Sequence, residues 1–346
     1  MLNNFLSKSN IIALSPMDGI TDEAFRLVQC QIAKPDLLFT EFISAEGISR
    51  GGIKLYDTLL FSSQERPIVG QLFGKDPESF YKSAIILCEL GFDGIDINMG
   101  CPAKTVTQHG SGAALIGKPE LAVEIIQKTK QGIDDWFSGK VKISDIGLNQ
   151  KTLDVINKNK KYSQISATYH LRPTVSVKTR LGITHSIIED WASMLLDQDL
   201  DFLTIHSRTL KQAYAGTADW SEIQKVVNLA KNTKTKIFGN GDIQNRIQGI
   251  EYCQKYGVDG VLIGRAAGGN PWCFLDHIAS TKEKFSAMLL HAQIFNQVFP
   301  NRDFDSLRKH FLLYTTDFPN AKSLRMKLVR LNSVKELLLL EDEFQD

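Results

Sequence analysis

Residues 94–102 read Gly94-Ile95-Asp96-Ile97-Asn98-Met99-Gly100-Cys101-Pro102, an apolar run that ends in a loop carrying a single thiol. Such a run, short and bounded by glycines, has the form of a buried strand covered on both faces. Gly100 permits an unusual φ, and Pro102 biases Cys101 toward extended geometry. The thiol is thereby expected to point into a site, which makes Cys101 the candidate centre of chemistry. Cys30, Cys88, Cys253 and Cys273 lack this setting and are expected to be small buried hydrophobes.

Outward from this run, similar β-rich stretches recur at 11–17, 37–42, 67–73, 175–180, 202–208, 236–241 and 260–265. Amphipathic segments such as 78–90, 119–131, 185–197, 221–231 and 244–256 lie between them. Eight strands alternating with helices predict an α/β fold, a parallel (β/α)8 TIM barrel. A doubly wound open sheet would carry a glycine-rich dinucleotide fingerprint after its first strand; here that strand ends in Ser15-Pro16-Met17-Asp18-Gly19. The barrel is expected over residues 1–275. A smaller helical domain is expected over 281–346, because the alternation stops after Trp272.

The 346 residues, 43% of them hydrophobic, can bury a large core. Five cysteines without regular spacing argue against a disulfide framework or a zinc site, so no metal is expected. The N-terminal stretch lacks the pattern of a signal peptide, and no window reaches the about 18 apolar residues of a membrane span. A cytoplasmic monomer is the expectation. With 40 basic against 39 acidic residues, any nucleic-acid surface must be local. One such concentration lies between 306 and 335: Arg308, Lys309, Lys322, Arg325, Lys327, Arg330 and Lys335 against the single acid Asp317. Arg325, Lys327 and Arg330 are expected to share an outer helix face, with Leu324, Met326, Leu328 and Leu331 as its apolar side. A second, at 139–172, holds seven basic and two acidic residues. It reads as a surface insertion at the N-terminal end of the barrel, although Lys140-Val141-Lys142-Ile143 competes with Val175-Ser176-Val177-Lys178 for the fifth strand. The second is preferred because Thr179-Arg180-Leu181-Gly182 follows it.

Polar residues gather where the strands end: Pro16, Met17 and Asp18, then Glu41, Gln71, Asn98 with Cys101, Lys178 with Arg180, His206 with Arg208, Asn240-Gly241-Asp242, and Gly264-Arg265. Barrel enzymes place ligands at that end. The last two turns suit a phosphate, since glycines admit close approach of backbone N–H groups and Arg265 adds a charged donor. With Lys178 and Gln71 on the opposite wall, the site suits flavin mononucleotide: the lysine would stabilise negative charge on the reduced ring and the glutamine would meet its edge. No second nucleotide fold is present, so NADPH (or NADH) would visit the flavin and leave.

The blocks SPMDGITDEAFR (15–26), TEFISAEG (40–47), GQLFGKDPESF (70–80), GFDGIDINMGCPAKTV (91–106), GSGAAL (110–115), VSVKTRLG (175–182), HSRTLKQAYAGTADW (206–220), GNGD (239–242) and GVLIGRAAGGNPW (260–272) together resemble the tRNA-dihydrouridine synthase family. The resemblance runs from about residue 14 to 272, without the insertion, and the basic tail resembles the family's tRNA-binding domain more loosely. It implies FMN held by Pro16, Met17, Asp18, Gln71, Lys178, His206, Asn240, Gly241, Asp242, Gly264 and Arg265. It further implies hydride delivery to C6 of a uracil and protonation of C5 by Cys101, a step an ordinary thiol can perform at neutral pH. Asn98 and Arg180 would orient the base, with Lys104, His109, Arg208 and Tyr214 on neighbouring loops; the segment 104–112 has the form of a lid. A stacked uridine must be extruded into such a pocket, while Arg308, Lys309, Lys322, Arg325, Lys327 and Arg330 would contact tRNA phosphates. Two rivals stay open: an FMN reductase of a free pyrimidine, similar to dihydroorotate dehydrogenase, and a non-catalytic tRNA-binding protein.

Overall fold

The computed structural model describes residues 5–165, 171–316, 318 and 321–344; Asp317 lies outside them. Among the described residues eight strands are present: β1 (Ile11–Leu14), β2 (Leu38–Ser44), β3 (Ile68–Phe73), β4 (Gly94–Met99), β5 (Thr174–Arg180), β6 (Phe202–His206), β7 (Lys236–Asn240) and β8 (Gly260–Ile263). They pair in parallel in the order β1-β8-β7-β6-β5-β4-β3-β2. The ends of this sheet meet at a parallel bridge between Ala13 and Leu37, where the Leu14 N–H donates to Leu37 O at 2.9 Å. The sheet is therefore curled onto itself, the TIM-barrel arrangement.

Helices α1 (Glu23–Ala33), α2 (Pro77–Glu89), α3 (Pro119–Phe137), α4 (Gln150–Tyr162), α5 (Ile188–Leu196), α6 (Trp220–Ala230) and α7 (Arg246–Tyr256) lie between the strands. Their starts are encoded locally. Asp22 caps α1 by accepting from the Phe25 N–H at 3.0 Å, and Asp76 caps α2 by accepting from Ser79 N–H at 3.0 Å, with Pro77 in the first turn. The buried pair Arg26–Glu65, at 2.6 Å, fastens α1 to the 63–65 turn.

Inside the barrel the chemistry changes with height. Phe39, Val69, Phe202, Phe238 and Leu262 fill the lower half; the Phe202 and Phe238 rings stack at 5.1 Å and Phe39 meets Phe202 edge-on at 6.2 Å. Side chains two residues further along a strand share its face. Those positions are Gln71, Thr204 and Asn240; on β4 and β5 the register sets Asp96 opposite Ser176 and, one step further along the same face, Asn98 opposite Lys178.

The insertion contains a 3-10 turn, Ile143–Ile146, and α4. Residues 140–143 form no strand, because the Lys142 N–H turns to the Asp145 carboxylate at 2.9 Å, and Val175 lies in β5 as preferred. Helix α4 docks on the outside of the barrel: Asn159 Nδ2 donates to Tyr56 O at 2.9 Å, Thr152 Oγ to Gly51 O at 3.3 Å, and Lys160 pairs with Glu89.

After β8 the described chain is helical: α8 (Thr281–Val298), α9 (Arg308–Tyr314), α10 (Ala321–Leu328) and a turn at Val334–Leu338. A capping box starts α8, with Ser280 Oγ accepting from Glu283 N–H and the Glu283 carboxylate accepting from Ser280 N–H. These helices share a hydrophobic cluster with the barrel, in which Phe285, Met288, Phe295, Phe311 and Leu328 pack with Ala24, Leu27 and Val28 of α1 and with Trp272. Leu324, Leu328 and Leu331 are buried as expected of an apolar side, but Met326 is 53% exposed. It follows Arg325, which is drawn inward to Thr315. No described helix is long and apolar enough to cross a membrane.

Candidate active site

The cysteine loop is fixed on three sides. Asn98 Oδ1, at the end of β4, accepts from Gly100 N–H at 3.0 Å and Cys101 N–H at 2.9 Å. Arg180 Nε donates to Gly100 O at 2.7 Å. On the far side the Ala113 N–H reaches Cys101 O at 3.2 Å, and Gly112 adopts φ +60°; a Cβ there would stand 3.0 Å from Cys101 O and 3.2 Å from Cys101 Cβ. Burial pushes the Cys101 thiol above its ordinary pKa, partly offset by the Ala103 N–H, so the thiol keeps its proton at neutral pH.

A chain of hydrogen bonds runs inward from this loop. Asn98 Nδ2 donates to Gln71 Oε1 at 2.9 Å, Gln71 Nε2 to Asp96 Oδ2 at 2.7 Å, and Ser176 Oγ to Asp96 Oδ1 at 2.6 Å. Asp96 thus sets which way the Gln71 amide faces. Its own carboxyl is pushed up to about 6 by burial, against the pull of Ser176, Gln71 and Lys178. Asp96 stands two residues before Asn98 in β4, so the two-residue repeat of a strand is the signal that could have marked it.

Lys178 lies deep in the mouth and donates to Asn240 Oδ1 at 3.1 Å, while Asn240 Nδ2 is held by Leu262 O at 3.0 Å. Burial, then the Arg180 charge, pulls the Lys178 ammonium down to about 8. His206 is held far below its ordinary value by burial and by Lys178, Arg180, Arg208 and Arg265, so its imidazole is neutral.

The turn after β7 needs positive φ at Gly241 (+136°) and Asp242 (+60°). Asp242 repays the strained position by gathering donors: Arg208 Nη2 at 2.6 Å, Ala218 N–H at 3.0 Å and Arg265 Nη2 at 2.7 Å. Burial raises its carboxyl pKa, but these partners outweigh it and hold the group below the ordinary carboxylate range. The exposed Arg265 is thereby held at the rim of the mouth, and the Tyr214 ring lies 5.5 Å from its guanidinium and 5.9 Å from that of Arg180.

Many of these groups line one cavity of about 1350 Å³ at the C-terminal ends of the strands. Cys101, Pro16, Met17, Asp18, Gln71, Lys178, His206, Asn240, Gly241, Asp242, Gly264 and Arg265 all face it, as do Asn98, Arg180 and Tyr214. Lys104, His109, Glu41 and Arg208 are not part of its lining. Arg208, 2% exposed, is spent on Asp242, Gly216 O and Ala215 O behind the wall; a strand-end arginine reads the same in sequence whether it faces ligand or braces a turn. Burial pushes the Glu41 carboxyl up to about 7, with Asp22 adding and Arg26 and Lys309 opposing.

The tail contributes more to this cavity than its composition suggests. Lys284, Tyr314 and Thr316 line the outer part. Lys309 arches over the β1–α1 turn, where a Cβ on Gly19 would stand 3.2 Å from its Nζ. Lys322, Lys327 and Arg330 are exposed. Arg325 is half-buried and donates to Thr315 Oγ at 2.9 Å and Thr315 O at 3.2 Å, and Arg308 lies 3.6 Å from Asp305 and 3.5 Å from Asn332 Oδ1. The remaining cysteines are free; Cys88, Cys253 and Cys273 are buried and Cys30 partly so.

Known proteins bear on this site. The family described as Dihydrouridine synthase (Dus) matches residues 12–172 and 163–346. A probable tRNA-dihydrouridine synthase of Staphylococcus aureus (strain COL) is 36% identical, covering 100% of this chain and 97% of its own length. A probable tRNA-dihydrouridine synthase 2 of Bacillus subtilis (strain 168) is 33% identical over 96% of this chain and 93% of its own. Among solved structures, morphinone reductase in complex with tetrahydroNAD aligns at TM-score 0.43 and 11% identity over 76% of this chain and 84% of that one, a likeness too slight to carry anything about chemistry. Matched along nearly its whole length, with relatives at a third identity or more, the chain belongs to the dihydrouridine synthase family.

Proposed function

We propose that this protein is a tRNA-dihydrouridine synthase that reduces the 5,6 double bond of a tRNA uridine, with FMN as hydride carrier and Cys101 as proton donor. The observation that carries this reading is a half-buried thiol on a fixed loop, its pKa raised by desolvation, facing the cavity that Lys178 also lines.

The residues fit a flavin. Lys178 has three donors, and Asn240 takes one of them; the neutral His206, the Gly241–Asp242 turn and the Asp242-aimed Arg265 add donors along one wall. A Cβ on Gly264 would enter the space within 3.6 Å of Ser15 Cβ and 3.8 Å of the Met17 sulfur, so glycine keeps this cradle open. FMN would be held by Pro16, Met17, Asp18, Gln71, Lys178, His206, Asn240, Gly241, Asp242, Gly264 and Arg265. When bound, it supplies the hydride, taken from NADPH or NADH, that C6 of the uracil accepts. Cys101 gives its Sγ proton to C5 and is reprotonated from solvent. Asn98 holds the cysteine loop and Arg180 ties it to β5, so both set the thiol's position as well as offering polar edges to the base.

Residues 1–275 form the catalytic unit in this reading, and 281–346 bind tRNA through Lys309, Lys322, Lys327 and Arg330, with Arg308 and Arg325 at the edge of the surface. Lys309 above the β1–α1 turn links that surface to the mouth. The test is incubation of unmodified tRNA with the purified protein and NADPH, followed by mass spectrometric mapping of dihydrouridine. Dihydrouridine at a defined position is expected. A flavin-loaded protein that oxidises NADPH and leaves tRNA unchanged would replace this reading with a small-molecule reductase.

A further inference from the structure

Three side chains remote in sequence meet under the β1–α1 turn: Asp22, which caps α1, His291 of α8 and His310 of α9. One ligand-type atom from each lies within 4.8 Å of the others. The exposures are 9% for Asp22, 0% for His291 and 1% for His310. His291 Nδ1 stands 3.3 Å from the Tyr314 hydroxyl, yet His291 Nε2 and both ring nitrogens of His310 have no hydrogen-bond partner. Buried polar atoms are ordinarily paired, because removing them from water uncompensated is costly. Three unpaired nitrogens beside a carboxylate therefore call for a ligand.

The details select its class. Tyr314 can accept the Nδ1 proton of His291, which leaves the Nε2 lone pair free to bind; an outer partner of this sort is the usual companion of a metal-ligating histidine. Neither His291 Nε2 nor either His310 nitrogen is committed to another partner, so each ring can present a lone pair to an ion. Asp22 uses Oδ1 for the Phe25 N–H, leaving Oδ2, whose nearest cation is Arg302 at 4.0 Å. Two imidazoles and one carboxylate suit a first-row transition ion, whereas calcium and magnesium prefer oxygen throughout.

We propose that Asp22, His291 and His310 bind a divalent transition-metal ion, zinc by preference, which clamps the start of α1 to helices α8 and α9. The clamp joins barrel to tail beside the cavity, since Asp22 follows the Pro16–Asp18 turn and Tyr314 lines the wall. A water would complete a tetrahedral set. The site is independent of the substrate that the enzyme reduces.

Untagged full-length protein, incubated with zinc sulfate and desalted, is expected to retain about one zinc per chain by elemental analysis. His310→Phe keeps the ring volume and Asp22→Asn keeps a good cap; both are expected to lose that zinc. Tyr314→Phe is expected to weaken zinc binding by about 10–100-fold. Cobalt substitution separates this site from the cysteines: tetrahedral ligand-field bands without a thiolate charge-transfer band are expected, and these bands disappear in Asp22→Asn. Zinc should raise the unfolding midpoint of the wild type but not of the variants. A wild type that retains no zinc, variants that retain as much as wild type, or a cobalt spectrum showing thiolate ligation would each overturn the proposal. If His310→Phe fails to fold, Asp22→Asn and the wild-type cobalt spectrum decide alone.

Discussion

The two halves of the barrel interior are built from the same strands and obey opposite rules. Phe202 and Phe238 are packed in a dry plug, while Thr204, His206 and Asn240, next along the same faces, belong to a polar upper layer. A two-residue step along β6 or β7 crosses from one to the other. The plug holds strand register through close packing, and the mouth can therefore hold donors without moving them. Its groups also show perturbed protonation, with Lys178, His206 and Asp96 each shifted by burial. Stability should therefore reside in the lower half and chemistry in the upper.

The largest effect that separates the halves is expected from Cys101→Ala. Loss of a general acid should lower dihydrouridine formation by about 10²–10⁴-fold, with bound flavin and thermal midpoint unchanged. Single-turnover product formation beside flavin absorbance checks this. Retained turnover would remove Cys101 as the acid. The converse substitution is Phe202→Ala, which opens the plug and should cost about 3–5 kcal/mol of folding stability. Urea denaturation measures the loss; activity per folded molecule should hold. If it falls steeply at full occupancy of the native state, plug and mouth are coupled more tightly than their packing suggests.

A pH profile sharpens the comparison within the mouth. Lys178 is charged below about 8 and neutral above it, because burial and Arg180 disfavour the ammonium. kcat/KM should therefore fall as pH rises through about 8, approaching about tenfold per unit well above it. Burial raises the Cys101 thiol as well, so the limb is assigned by a lysine variant and not by its position alone. Lys178→Arg keeps its charge and should move the limb out of the measured range, even if the maximum rate drops. An unchanged limb in that variant would move the titration to another group.

The eight strands were legible because parallel strands covered on both faces read as apolar runs. Their ends were less so. β1 stops at Leu14 instead of reaching 17 because Pro16 has no N–H to extend the ladder, and β6 stops at His206 because the Arg208 N–H turns back to His206 O at 2.8 Å. The mouth residues were legible because a barrel collects strand ends at one rim. Arg208 and Arg325 show the limit of that reading. Each is basic in sequence and reads as a contact, Arg208 for the base and Arg325 for tRNA phosphate, but tertiary structure turns Arg208 onto Asp242 and Arg325 onto Thr315. Asp22, His291 and His310 were illegible for a stronger reason: no local pattern joins them, and they meet only because α8 packs on α1.

The tail carries the smallest expected effect, and it divides along the same line of burial. Lys322 and Arg325 lie on one helix whose Leu324 and Leu328 are buried. Lys322 is exposed, so Lys322→Ala should remove only a long-range charge: tRNA affinity falls modestly, and the slope of log affinity against log salt is reduced by about 1. Arg325 also holds Thr315, in the segment that ends α9 and borders the cavity wall at Thr316. Arg325→Ala should therefore lower the thermal midpoint along with tRNA affinity, whereas Lys322→Ala should leave the midpoint in place. Binding titrations at several salt concentrations, paired with thermal unfolding of both variants, separate the two roles. Salt slopes and midpoints equal to those of the wild type in both variants would mean that neither the lysine charge nor the arginine bracing reaches the RNA, and would count against this helix as a tRNA contact.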